Sequence, residues 1–153
     1  MATQIEPKTR DLYEKDFYVW AERQAELLRA GRFAELDLEH LIEEVEDLGG
    51  ALRRAVRSRI RTIIEHLLRL EHSTAQEPQA GWRETIRVQR DDLLDELTPS
   101  LRRMAQDELP TLFAGARRRA EASLRDYGES EAAEALPEAC PYSLDQITGD
   151  WLP

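Results

Sequence analysis

Residues 51–72, ALRRAVRSRIRTIIEHLLRLEH, decide the fold class of this chain. Leu52, Val56, Ile60, Ile63, Leu67 and Leu70 recur at the three- and four-residue steps of an α-helix, and Ala55, Ile64 and Leu68 widen the same stripe. So long an apolar face must be covered by other helices, which makes this segment the expected centre of a helical core. On its N-terminal side, Gly49-Gly50 reads as a stop. The preceding helix is then 37–48, with Asp37 as N-cap and Leu38, Leu41, Ile42, Val45 and Leu48 as its apolar positions. Phe33 and Leu36 fall in a short connection. Before it, 9–30 reads as one long helix through Tyr13, Phe17, Trp20, Gln24 and Leu27, stopped by Gly31.

On the C-terminal side, Pro78 and a small polar stretch mark a loop, and a helix at 81–97 follows. Thr98-Pro99 is a restart signal: threonine caps, and proline suits the first helical position, where its missing N–H would have had no partner. Pro110 cannot continue the hydrogen-bond ladder, so the spacing predicts separate helices at 99–108 and 110–127, the second stopped by Gly128. A short helix at 143–148 is expected from Ser143 and Gln146, a capping-box pair. Neither the alternation of a strand nor a hairpin turn occurs. The expectation is one all-α domain over 1–153: an irregular bundle of five to six helices, with a C-terminal tail packed across it by Tyr142, Leu144, Ile147 and Trp151.

The chain of 153 residues carries a net charge of −10, unevenly spread. Residues 1–48 are net −7, 49–103 net +3 and 104–153 net −6, and 19 of the 21 basic residues are arginine. Such a chain repels phosphate at long range, which argues against a nucleic-acid partner unless arginines converge locally. The apolar runs are only a few residues long, far short of the roughly 20 a membrane span needs, so no membrane role is expected. A single cysteine, Cys140, and an N-terminus without a signal segment point to the cytoplasm.

Five blocks in order carry a family resemblance: DFYVW at 16–20, LDLEHLIEEVEDLG at 36–49, HLL at 66–68, WRETIRVQR at 82–90 and CPYSLDQI at 140–147. Together they resemble the bacterial domain-of-unknown-function family numbered twenty-nine, over nearly the whole chain. The resemblance implies a compact α-helical domain with no assigned activity, so no functional residues carry over from it. The chain departs from the family pattern at His40, where asparagine is common, and at Tyr142, where tryptophan is common.

Two constellations could carry chemistry. His40, Glu44 and Asp47 fall within about 60° on the helical wheel, and His66 on the next helix could complete a metal-binding set across a groove. No pair of Glu-x-x-His motifs accompanies them, and the departure at His40 weakens the metal reading. Arg83, Arg87 and Arg90, at i, i+4 and i+7, form a basic stripe suited to phosphate or an acidic partner. A structural account weighs against both: the acidic 37–48 helix and the basic 51–72 helix, joined by two glycines, would pack antiparallel and neutralise each other. There is no glycine-rich phosphate loop, nucleophile elbow or spaced Cys/His set, so no cofactor is implied and a non-catalytic role is favoured over an enzyme. The expected function is a bacterial interaction domain that binds another protein, or itself as a homo-oligomer, through helical faces.

Overall fold

The computed structural model describes residues 9–153; the absence of a signal segment is an expectation that falls largely on residues 1–8, outside that range. Seven α-helices and one 3-10 turn account for the described fold, with no strand among the described residues, as the all-α reading requires. The helices are α1 (Thr9–Lys15), α2 (Phe17–Arg29), α3 (Leu38–His72), α4 (Gln79–Glu96), α5 (Pro99–Asp126), α6 (Ser130–Glu134) and α7 (Leu144–Thr148); the 3-10 turn is Phe33–Glu35. By packing, the chain divides into two compact units, 1–50 and 51–153.

In the first unit the expected single helix over 9–30 is broken at Asp16. Its backbone leaves the helical region (φ −153°, ψ 80°), and its carboxylate accepts the Val19 N–H at 3.2 Å, so it is an N-cap for α2. Gly31 is the stop the sequence predicts: at φ +69° it closes α2 with Arg32 N–H to Leu27 O and Gly31 N–H to Leu28 O, the paired bonds of a Schellman end.

The largest correction concerns Gly49-Gly50. These residues do not end a helix; α3 runs through them for 35 residues. The two glycines cost about 1 kcal/mol each relative to alanine. Stopping there would cost more, because the last turn would lose partners for its carbonyls and nothing follows that could cap a new helix, Ala51 and Leu52 having no polar side chain. The acidic and basic segments are therefore consecutive stretches of one helix, not two helices joined by a turn. The arginines find other acids. Arg57 makes a two-point bond to Glu108 (2.6 and 2.5 Å), and Arg59 binds Glu96 (2.8 and 3.1 Å) and Asp92 (2.8 Å).

The second unit holds the core foreseen from residues 51–72. Val56, Ile60, Ile63, Ile64, Leu67 and Leu68 of α3 are sealed against Ile86 and Leu93 of α4 and against Leu109, Leu112, Phe113 and Leu124 of α5. Pro110 corrects the second boundary, since α5 continues across it. Its missing hydrogen bond costs roughly 3 kcal/mol. Burying Leu109, Leu112 and Phe113 around it contributes about 1.5–3 kcal/mol apiece, which is enough to hold the helix together. Thr98 caps α5 with Pro99 in the first turn, and Gly128 at φ +76° ends it, both as expected. The Ser143–Gln146 capping box of α7 forms with both reciprocal bonds (3.1 and 2.9 Å).

The C-terminal tail is fastened across this unit mainly by arginine. Arg90 donates to the carbonyls of Ile147 (3.0 Å), Gln146 and Trp151 (both 2.8 Å), Arg117 to Pro137 (2.9 Å), and Arg102 to the carboxylate of Asp145. Tyr142, Leu144 and Ile147 are buried, and the Tyr142 hydroxyl donates to Glu71 at 2.6 Å. Trp151 remains partly exposed, its ring 5.6 Å from that of Tyr142.

Candidate interaction surface

The first eleven residues of α3 expose what the sequence marks as core. Leu38, Ile42, Val45 and Leu48 are 57, 56, 68 and 68% exposed. Their spacing puts three of them in one row, at i, i+4 and i+7, with Leu48 a turn beyond. One residue further round the helix, Glu39, Glu43 and Glu46 form a parallel acidic row, all exposed. Glu43, Glu46 and Asp47 have no ion-pair partner among the described residues, and the segment 37–48 contains neither lysine nor arginine.

A different face of this segment is already occupied. Trp20 and Gln24 of α2 are buried against Asp37, whose backbone N–H donates to Gln24 Oε1 at 2.9 Å and whose carboxylate accepts from Trp20 Nε1 at 3.2 Å. His40 Nδ1 lies 2.7 Å from the same carboxylate oxygen. Tyr13 stacks on the His40 ring at 3.9 Å and donates its hydroxyl to Glu44 at 2.7 Å. That bond to a carboxylate pushes the Tyr13 hydroxyl up to about 12. Burial opposes the charge on Asp37, but hydrogen bonds from His40 and Trp20 outweigh it and hold the carboxyl below its usual range. Reciprocally, the bond to Asp37 raises His40 above the ordinary imidazole value. The arrangement is an orienting network rather than a ligand cage: Asp37 fixes His40, and Glu44 is engaged by Tyr13.

Two of the four candidate metal ligands already have partners within the first unit. His40 is bonded to Asp37 and Glu44 to Tyr13, and Asp47 is exposed. His66 Nδ1 bonds the Thr62 carbonyl at 2.8 Å, not Glu43 or Glu44, and burial lowers its proton affinity. Among the described residues no group of three or more His, Cys, Asp or Glu side chains is placed to hold a metal ion.

The arginine stripe also divides. Arg83 reaches Gln79 at 3.3 Å, and Arg87 pairs with Glu84 at 2.5 Å, both at the surface of α4. Arg90 is buried and spent on tail carbonyls, so it presents nothing to a phosphate. Cys140 borders a shallow apolar recess with Leu109, Pro110 and Phe113, and burial pushes its thiol up, away from nucleophilic reactivity.

Sequence reasoning placed Tyr13, Trp20 and Gln24 on one helical stripe and Asp37 at a cap, but missed that they converge on His40. The available signal was chemical: Gln24, a polar residue, sits in the middle of an apolar series, and a buried amide needs a polar partner. No helix among the described residues is long and apolar enough to cross a membrane. No curated protein and no solved structure matches the chain significantly. The sequence profile of the family described as "Domain of unknown function DUF29" matches residues 12–152, and the chain belongs to that family.

Proposed function

We propose that the protein is a non-catalytic interaction domain of the bacterial cytoplasm, and that it docks another protein on the exposed face of α3 between Leu38 and Leu48. The observation that carries this reading is the row of four large apolar side chains, each more than half exposed, on a helix whose other face is already packed. Single exposed apolar residues are ordinary; a periodic row of them is the pattern by which helices recognise helices. The lone, partly buried cysteine supports a reducing compartment.

The test compares the wild-type chain with the double variant Ile42→Gln/Leu48→Gln. Both positions are exposed and glutamine is a good helix former, so the variant stays within about 0.5 kcal/mol of wild-type stability. Quantitative affinity capture from the native cytoplasm, alongside light scattering of the purified proteins, should show a partner bound by wild type and lost by the variant. Identical capture profiles from wild type and variant would remove the reading.

A further inference from the structure

We infer that the α3 face takes a basic amphipathic helix of a partner protein and not a second copy of this chain, an inference that rests on the docking role proposed above. The apolar row of Leu38, Ile42 and Val45 runs beside the acidic row of Glu39, Glu43 and Glu46, so whatever covers the first must meet the second. From Asp37 to Leu48 the segment holds six acids and no lysine or arginine. Glu43, Glu46 and Asp47 have no cationic partner among the described residues, so these three carboxylates are left to an outside cation.

Charge complementarity selects the occupant. In an antiparallel two-fold dimer of this face, the acidic rows of both copies fall on the same side of the seam, so Glu39, Glu43 and Glu46 meet carboxylates, and no lysine or arginine, of the second copy's 37–48 segment. Like charges facing each other across an interface are a device for rejecting a partner. An anionic lipid surface is disfavoured for the same reason, since helices that lie on membranes carry lysine and arginine beside their apolar face, not glutamate. A partner helix with apolar residues at heptad spacing and lysine or arginine along one flank satisfies both rows at once. The exposed stretch of 11 residues spans about three turns, which sets the length of the matching helix.

The test uses the full chain and two labelled synthetic amphipathic peptides that share a leucine heptad seam, one flanked by lysine and the other by glutamate. Fluorescence anisotropy should show the lysine peptide binding at least about tenfold more tightly than the glutamate peptide, with the advantage shrinking as salt rises. The triple variant Glu39→Lys/Glu43→Lys/Glu46→Lys should reverse the preference, and Ile42→Gln/Leu48→Gln should abolish binding of the lysine peptide. Equal binding of both peptides, lost in the Ile42→Gln/Leu48→Gln variant, would overturn the basic partner while leaving the docking face intact. Lysine-peptide binding indifferent to that variant would overturn the inference, because charge alone would then be responsible. A sedimenting dimer of the wild type that the apolar variant dissociates would assign the face to a second copy, and binding of anionic vesicles would assign it to lipid; either result would also overturn the inference. If neither peptide binds the wild type the inference fails outright, and the docking role is then judged by the capture comparison alone.

Discussion

His40 sits between two carboxylates of different standing. Asp37 is buried and bonded to its ring, while Glu43 is exposed and acts only through its charge. Because the Asp37 bond raises His40 above its unfolded value near 6.5, the stabilisation from protonated His40 is fully present below that value and is lost as pH rises through the raised folded value. Asp37 behaves oppositely: its contribution is present above about 3.8 and is lost as pH falls through its lowered folded value. His66 opposes His40, because burial favours its neutral form and acidification below 6.5 works against the fold. The His40 contribution is therefore isolated by difference. In urea denaturation at about pH 6 and pH 9, the stability gap between wild type and His40→Asn should be larger at pH 6 and should close at pH 9. A gap unchanged with pH would mean that the proton on His40 is not linked to folding. Single residues were the least legible part of the sequence. Arg90 shares its helical spacing with Arg83 and Arg87, yet it is buried, because only the folded tail supplies the three carbonyls it binds.

At the scale of elements, local signals were reliable where a side chain or backbone had a specific geometric task. The Gly31 and Gly128 stops, the Thr98-Pro99 start and the Ser143 box all form as the sequence indicates. They failed where a residue is merely unfavourable in a helix, since neighbouring turns can carry the cost. Gly49-Gly50 and Pro110 are both overridden in this way. Asp16 was missed for the converse reason: an aspartate inside an apolar periodic run looks like a solvated position until its carboxylate turns back to Val19 N–H. The continuity of α3 has a direct check. Gly49 is helical and exposed, and an added Cβ meets nothing within 4 Å, so Gly49→Ala should stabilise the protein by about 0.5–1 kcal/mol. Gly31→Ala forces an L residue to φ +69° and should destabilise it by roughly 1 kcal/mol or more. Denaturant titration of the two variants should give opposite signs. A loss at Gly49 as well would show that the pair of glycines is a turn.

For the whole molecule, amphipathic periodicity shows that a helix face is apolar but not what covers it. The same pattern runs through Leu38–Leu48 and Val56–Leu68, and only the second is sealed by other helices of this chain. That difference predicts unequal stability. The unit at 51–153 buries a continuous core drawn from α3, α4, α5 and the tail. In the unit at 1–50, the buried side chains among the described residues are Trp20, Gln24, Leu27 and Asp37, two of them polar. A large apolar side chain contributes about 1.5–3 kcal/mol on burial, whereas ordering each residue's backbone costs about 1–2 kcal/mol. A unit with two such side chains is held by a narrower margin than one with seventeen of them. Native-state hydrogen exchange should therefore find α2 opening at a free energy at least about 2 kcal/mol below that of α5 between Phe113 and Leu124. Along α3, protection should fall from Ile60–Leu68 towards Leu41–Leu48. The lysine-flanked peptide should raise protection in that weaker stretch, because a ligand stabilises the ordered state to which it binds. Exchange at one common free energy throughout would show that the two units open together, and that docking on α3 has no separately loosened element to order.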